Sequence, residues 1–254
     1  MFWSGDAGIP LEIRAGTHRL SSIAPAKVSG TNVVPSHFPL GLRIGFWFCI
    51  SIAVAAVLRR VFALSTHPSP HAPPQLASLD TYFVSHAALT YAHILCALAF
   101  VFLLPLLFWK RTRGSIRVEQ AFFALGVVVG GTAYAMSTHA VGGWLERSAV
   151  LTFNTLFLGS LAMAFFSARR ADVEQRQRWT LRAIAILLGI ATTRPVMGIF
   201  FATSHWTGLT PQQFFGIAFW IGFSINTVVI EIWLRSPVSR DEKSLHSSGK
   251  LHVS

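Results

Sequence analysis

Six apolar segments, each long enough to cross a bilayer, constrain the fold of this chain more than any other feature of its sequence. A hydrocarbon core of ~30 Å requires about 20 consecutive, mainly apolar residues in a helix. The segments are 42–64, 84–109, 118–138, 148–167, 180–203 and 212–234. Because lipid offers no partner to backbone polar groups, each segment is predicted to be a helix. The predicted fold is an all-α bundle of six transmembrane helices.

The regions outside these segments are too polar or too short to form a second domain. Residues 1–41 scatter Gly, Pro and Ser among polar and apolar residues, without the apolar stretch of a signal peptide. We predict a poorly ordered cytoplasmic tail over 1–41, a six-helix domain over 42–234, and a disordered cytoplasmic tail over 235–254. The loop 65–83 is rich in proline and is predicted to be extended.

Lysine and arginine alternate between the two sides of the predicted bundle. They concentrate in the first tail, in the turns after the second and fourth segments, and in the last tail. The loops 65–83 and 204–211 contain neither residue. Since cytoplasmic loops carry the excess of basic residues, both termini are predicted to be cytoplasmic, with the chain in a bacterial inner membrane. Arg59 and Arg60 depart from this pattern and are expected to snorkel to the headgroups.

Composition and motifs exclude several classes of protein. The net charge of +11 would suit nucleic acid, but the basic residues lie at the ends of apolar segments, so no nucleic-acid binding is predicted. Cys49 and Cys96 lie inside apolar segments and are expected to be small buried residues. The sequence has no GxSxG, HExxH or P-loop motif, which disfavours hydrolytic and nucleotide-driven enzymes.

The fifth segment contains a charged residue deep inside its apolar stretch. Thr192, Thr193, Arg194 and Pro195 interrupt the stretch 179–203. An arginine at that depth costs at least ~2.5 kcal/mol on insertion scales unless it is solvated or paired, so it indicates a functional site. Pro195 removes a backbone donor and predicts a kink, and the threonine hydroxyls are expected to satisfy the freed backbone groups.

Several polar residues are predicted to share this depth, toward the outer side of the membrane. At ~1.5 Å per residue, His93 and Arg194 lie roughly 13 Å from the outer ends of their segments. We predict an outer-half ligand pocket lined by His93, Arg194, Asn154, Tyr134 and Thr193. The alternative interpretation is structural: Arg194 fastens helices together through carbonyls or through Asp80 and Glu146 of the outer loops.

Two further histidines are candidates for a cofactor. His86 and His139 are predicted at similar outer depth on different helices, which is the geometry that axial haem b ligation requires. Ordinary interfacial histidines remain the alternative interpretation. No carboxylate or thiolate is placed to complete a zinc or copper site, so no metal site is predicted.

Other patterns predict helix packing. Asn226 and Glu231 in the sixth segment are placed to pair with Arg182, as a structural latch. Gly126 and Gly130 form a GxxxG pattern that favours close helix approach, within the bundle or between copies in a homo-oligomer. Thr210, Pro211 and Gln213 predict a capping box that opens the sixth helix.

Three functional hypotheses remain. The first is a membrane redox component that binds haem b or a quinone through these histidines and Arg194. The second is a small transporter of an anionic solute, with helices broken at Pro105 and Pro195. The third is a non-catalytic membrane subunit or sensor. Any enzymatic activity is expected to be that of a membrane oxidoreductase.

The chain resembles a family of bacterial integral membrane proteins known as domain of unknown function 2306. The resemblance runs from about Tyr91 to Arg235 and rests on YAHILCALAFVFLLPLLFW, QRQRWTLRAIAILLGIATTRPVMG and INTVVIEIWLR. Members often carry a histidine where this chain has Arg176, and a His-Arg pair opening the third helix, where it reads Arg117, Val118, Glu119. The resemblance implies a membrane topology and no activity.

Overall fold

The computed structural model describes the chain in six stretches: 39–65, 87–109, 111–112, 115–140, 142–208 and 210–236. These contain the helices α1 (Leu40–Ser65), α2 (Ala87–Phe108), α3 (Ile116–Ser137), α4 (Gly143–Arg169), α5 (Val173–Thr207) and α6 (Pro211–Arg235). All six are long and apolar enough to cross a membrane. The predicted all-α fold is therefore confirmed. Almost all of both predicted tails, and the loop 65–83 beyond its first residue, lie outside the described residues.

Two helices begin well before their apolar segments do. α4 starts at Gly143 and α5 at Val173, because their first turns carry charged residues that an apolar window leaves out. Asp172 caps α5 by accepting a hydrogen bond from the Gln175 amide at 3.0 Å. The intervening turn uses Ala171 at φ 56°, and the Asp172 amide reaches back to the Ser167 carbonyl at 3.0 Å.

Five helices form a closed ring, and the sixth packs outside it. α1 contacts α2 and α5, α3 contacts α2 and α4, and α4 contacts α5, which closes the ring. α6 packs against α4 and α5 and covers their seam. The ring centroid of Phe46, near the start of α1, lies 5.1 Å from that of Phe108 at the end of α2, as antiparallel neighbours require. We call the end where α1, α3 and α5 finish the upper end, and the opposite end the lower end.

Aromatic side chains fill the middle of the ring. The ring centroid of Phe100 on α2 lies 5.1 Å from that of Phe122 on α3 and 6.1 Å from that of Phe157 on α4. Leu104, one turn below Phe100, is also fully buried, and Ala53 of α1 belongs to the same cluster. We call Phe100, Phe122, Phe157 and Leu104 the hydrophobic plug. The polar residues of the upper half lie above it.

The two glycines of the GxxxG pattern pack α3 against α4. A Cβ atom at Gly126 would lie 2.7 Å from a Leu161 methyl carbon, and one at Gly130 would lie 2.5 Å from a Leu158 methyl carbon. Both glycines are buried. The close helix approach that they predict therefore occurs inside the chain, and this surface is not free to contact a second copy.

Both internal prolines lie within continuous helices. α2 continues beyond Pro105, whose carbonyl accepts a hydrogen bond from the Trp109 amide at 3.1 Å. α5 continues for three further turns beyond Pro195. The expectation that helices are broken at these prolines is therefore wrong.

Candidate functional site

The seam between α5 and α6 fixes the rotation of α5 about its axis. Thr193 has 0% of its surface exposed, and a Cβ atom at Gly222 would lie 2.6 Å from the Thr193 backbone nitrogen. One turn below, a Cβ atom at Gly189 would lie 2.9 Å from the Phe223 Cα. Thr193 thus faces α6, where it is a packing residue and does not line the ring interior.

The threonines next to Pro195 do not bond to the carbonyl that this proline leaves without its helical donor. That carbonyl belongs to Ala191, four residues before the proline. Thr193 donates to the carbonyl of Ile190 at 2.6 Å, and Thr192 donates to the Asn226 side chain at 2.8 Å. The Thr193 hydroxyl therefore bonds within α5, and the Thr192 hydroxyl bonds α5 to α6.

The opposite side of α5 is packed in its lower half and open in its upper half. Successive residues are ~100° apart around a helix, so Arg194 and Gly198 point away from α6. Both are exposed, whereas Ala191, Leu188 and Ile184, below them on about the same side, are buried. The ring interior is therefore closed at the level of Ala191 and accessible above it.

Charged groups from two other helices act on Arg194. Glu146 of α4 attracts its guanidinium, and Arg59 of α1 repels it. α4 and α1 are the two ring neighbours of α5, so both groups belong to helices that flank the one carrying Arg194.

Glu146 lies in the first turn of α4, where the sequence predicted a loop residue. The Gly142 amide donates to its Oε2 atom at 2.5 Å, so the carboxylate caps the start of its own helix. A Cβ atom at Gly142 would lie 3.0 Å from the Gly216 amide of α6, so this turn is packed tightly. The position of the Glu146 carboxylate is consequently fixed by backbone contacts.

His93 is hydrogen-bonded across the α2–α3 seam. Its Nδ1 lies 2.8 Å from the Thr132 hydroxyl. That hydroxyl also lies 2.8 Å from the Val128 carbonyl and 3.0 Å from the Val129 carbonyl. When the hydroxyl donates its one proton to either carbonyl, it accepts from Nδ1, and Nε2 of the neutral ring is then an acceptor.

His93 lies on the side of α2 that faces the plug. It precedes Phe100 by seven residues, or about two turns, which places it ~10 Å above Phe100 on about the same face. Phe100 is fully buried, whereas His93 is half-buried. His93 on α2, Arg194 on α5, Glu146 on α4 and Arg59 on α1 thus give four of the five ring helices a polar residue in the upper half.

Asn154 and Tyr134 join α3 to α4. The buried Asn154 side chain donates to the Gly130 carbonyl at 2.9 Å. Tyr134 lies 2.7 Å from the Thr155 hydroxyl, which itself donates to the Leu151 carbonyl, so the tyrosine is the donor. Of the five predicted pocket residues, these two therefore have partners within the α3–α4 seam, and Thr193 has its own in α5.

The predicted haem ligands are described only in part. His139 is exposed just beyond α3, with its Nδ1 2.8 Å from the Thr138 hydroxyl. His86 lies outside the described residues, so ligation by this pair stays a prediction. Among the described residues, no three His, Cys, Asp or Glu side chains are grouped as a metal site would require.

The predicted pairing of Arg182 with Glu231 between α5 and α6 is confirmed, whereas Asn226 bonds to other groups of α5. Arg182 forms an ion pair with Glu231, and its guanidinium lies 4.4 Å from the centre of the Trp179 ring. Asn226 donates to the Ala185 carbonyl at 3.2 Å. These contacts continue the Thr193–Gly222 seam toward the lower end.

A second ion pair at the lower end was not predicted. Arg176 of α5 donates to both carboxylate oxygens of Glu119 on α3, at 3.1 and 3.2 Å. These are two of the positions at which the chain departs from the family that it resembles. The presence of a charged residue at each departure was the available signal, but one sequence does not indicate that the two positions meet.

Comparison with known proteins supports the family resemblance. A family model described as "Predicted membrane protein (DUF2306)" matches residues 90–234, which run from the start of α2 to the end of α6 and make up more than half of the chain. No curated protein and no solved structure matches the chain.

Proposed function

Since the chain belongs to the DUF2306 family of predicted membrane proteins, we propose a function for it from the upper half of its helix ring. The upper half is a binding pocket for a small molecule that carries one anionic group on an apolar body. The protein lies in a bacterial inner membrane with both termini in the cytoplasm, and the pocket opens to the outer side.

One observation carries this proposal: Arg194 is exposed on the side of α5 that faces the ring, under the influence of Glu146 and Arg59. A guanidinium within the span of a membrane helix is too costly to leave in contact with lipid. Water or a ligand inside the ring is the remaining partner for its unused donors. The permanent positive charge of the guanidinium favours an anionic group on the ligand.

The neighbouring residues restrict the chemistry of the ligand further. A planar guanidinium pairs best with a carboxylate or a similar oxyanion. His93 offers an acceptor at Nε2, which suits a hydroxyl or amide donor on the ligand. The floor formed by Phe100 and Phe157 suits an apolar body. A carboxylate with a nearby hydroxyl and a hydrocarbon or aromatic portion fits this set.

The orientation follows from the charges at the lower end. Arg43, Arg111, Arg117, Arg169, Arg170, Arg176 and Arg178 all lie at or near that end. An excess of arginine favours the cytoplasmic side, which supports a pocket on the outer side. Self-association stays a prediction, and it would have to use a surface other than Gly126 and Gly130.

Accessibility of Gly198 to a charged thiol reagent tests the pocket. We replace both native cysteines with Cys49→Ala and Cys96→Ala, introduce Gly198→Cys, and add a membrane-impermeant, anionic methanethiosulfonate to the outer side of intact cells. A water-filled pocket predicts modification of the new thiol, because only a hydrated thiolate reacts. Nothing lies within 4 Å of a Cβ atom at Gly198, so this substitution fits.

Ile221→Cys in the same background is the depth-matched control. Ile221 is exposed on the side of α6 that points away from α5, at a similar distance from the upper end. The proposal expects rapid modification at residue 198 and none at residue 221. Equal reactivity at both positions, or modification of residue 198 only from the cytoplasmic side, would refute the pocket or its orientation.

A further inference from the structure

Four arginines gather at the lower end of α2, α3 and α4 without an acidic partner among the described residues. We call Arg111, Arg117, Arg169 and Arg170 the lower basic patch. All four are exposed. Arg111 lies in the turn between α2 and α3, Arg117 in the first turn of α3, and the other two at the end of α4.

The register of α3 against α4 brings these residues to one level. The rings of Phe123 and Phe165 meet at a centroid distance of 5.5 Å. Arg117 lies six residues below Phe123, and Arg169 and Arg170 lie four and five residues below Phe165. At ~1.5 Å per residue, all three are then about 6–9 Å below the same contact.

The acidic residues at this end are engaged elsewhere. Glu119 accepts both of its hydrogen bonds from Arg176, and Glu174 pairs with Arg178 at 3.5 Å. Glu231 pairs with Arg182 and Arg235. Asp172 caps α5 through the Gln175 amide. Within the part of the chain that the structure describes, no acidic side chain therefore compensates the lower basic patch, and the start of α3 adds its helix dipole.

Exposed apolar side chains continue from the patch along the membrane-facing surface. Ile116 is 69% exposed and Phe166 is 56% exposed, on α3 and α4 respectively. The Arg169 guanidinium lies 5.1 Å from the centre of the Phe165 ring, which holds it beside this apolar surface. The guanidinium groups thus lie next to an apolar surface, as the headgroup of a lipid lies next to its acyl chains.

We propose that the lower basic patch is a binding site for an anionic phospholipid. The lipid phosphate contacts the guanidinium groups of Arg117 and Arg170, and the acyl chains lie against Ile116 and Phe166. Arginine clusters next to a membrane helix attract anionic headgroups, and the planar guanidinium pairs with phosphate oxygens. This inference does not depend on the upper pocket.

Lipid titration monitored by native mass spectrometry tests the site. The full chain in detergent is titrated with phosphatidylglycerol or phosphatidylcholine, and bound lipid is counted. Phosphatidylglycerol should bind selectively to the wild type. Arg117→Gln or Arg170→Gln should weaken that binding about 5-fold, and the double variant about 30-fold, while phosphatidylcholine binding is unchanged.

Arg43→Gln is the matched control, because Arg43 is also exposed at the lower end, on α1, and has no acidic partner among the described residues. Its effect on phosphatidylglycerol binding should stay below 2-fold. An equal loss in Arg43→Gln would assign the binding to diffuse surface charge and overturn the proposal. No loss in the double variant would overturn it as well.

Competition with inorganic phosphate distinguishes a site for a lipid phosphate from a site for free phosphate. Millimolar phosphate should leave phosphatidylglycerol bound, since the apolar contacts need acyl chains. Complete displacement would indicate a site for free phosphate and contradict a lipid site. If Arg117→Gln does not fold, Arg170→Gln carries the same expectation.

Discussion

Gly222 of α6 lies against the backbone of Thr193 in α5, with no space between them for a side chain. We therefore expect Gly222→Ala to lower the free energy of unfolding by about 1–3 kcal/mol, because the added methyl group overlaps main-chain atoms that cannot rotate away. A thermal melt followed with a thiol-reactive dye measures this, since Cys49 is buried and Cys96 half-buried until the protein unfolds.

Alanine substitutions at two other glycines serve as references for Gly222→Ala. Gly131→Ala meets no atom within 4 Å and should leave the melting temperature unchanged or slightly raised. For Gly130→Ala, the three nearest atoms all belong to the Leu158 side chain, which can move, so its cost should lie between the two. A Gly222→Ala protein as stable as Gly131→Ala would contradict the close α5–α6 seam.

The Arg182–Glu231 pair should act as a coupled unit. We expect Arg182→Ala and Glu231→Ala each to lower the melting temperature, and the double variant to lose less than the sum of the single losses. The coupling should be about 1 kcal/mol, because both side chains keep partial contact with solvent. If the loss in the double variant equals the sum of the two single losses, the interaction between the two side chains contributes nothing to stability.

The charged side chains of the upper pocket should determine whether an anionic or a cationic thiol reagent modifies residue 198 faster. In the Gly198→Cys background, Arg194→Gln should slow the anionic reagent and speed a cationic one, by roughly 2–10-fold each. Glu146→Gln should do the opposite. Each rate is compared with the same reagents acting on Gly198→Cys alone. Equal effects on both reagents would indicate altered access and would count against an electrostatic role.

The hydrogen bond between Thr132 and His93 should fix the tautomer of the imidazole. Nitrogen chemical shifts of labelled histidine are expected to report the proton of the neutral ring on Nδ1. Thr132→Val should release this preference and cost about 1 kcal/mol of stability. Thr155→Val, which removes the partner of Tyr134, is a control that should alter stability without changing the His93 signals.

The sequence predicted helix number and type well because these depend on local composition. Segment lengths and hydropathy located all six helices, and the starts of α4 and α5 were displaced most, by their charged first turns. The Arg182–Glu231 pair was also predictable, since both residues are charges in apolar segments of successive helices that pack together. Gln213 likewise accepts from the Thr210 amide at 3.1 Å, as the capping-box pattern predicted.

The neighbours of individual polar residues were much less predictable. Depth along a helix follows from counting residues, but the direction of a side chain depends on which helices pack on which faces. Thr193 and Arg194 are adjacent in sequence and share a depth, yet one is buried against α6 and the other is exposed on the opposite side. Likewise, Glu119 and Arg176 come together only because α5 extends beyond its apolar segment.

The amino-acid sequence by itself determined that the described part of this chain forms six helices long and apolar enough to span a membrane, because hydrocarbon excludes unpaired backbone groups whatever the tertiary arrangement. The tertiary structure decided that five of these helices close a ring, that Gly126 and Gly130 are used inside the chain, and that Arg194 is exposed on the side of α5 away from α6. Such choices depend on the fit of side chains between helices distant in sequence, which composition and periodicity do not encode.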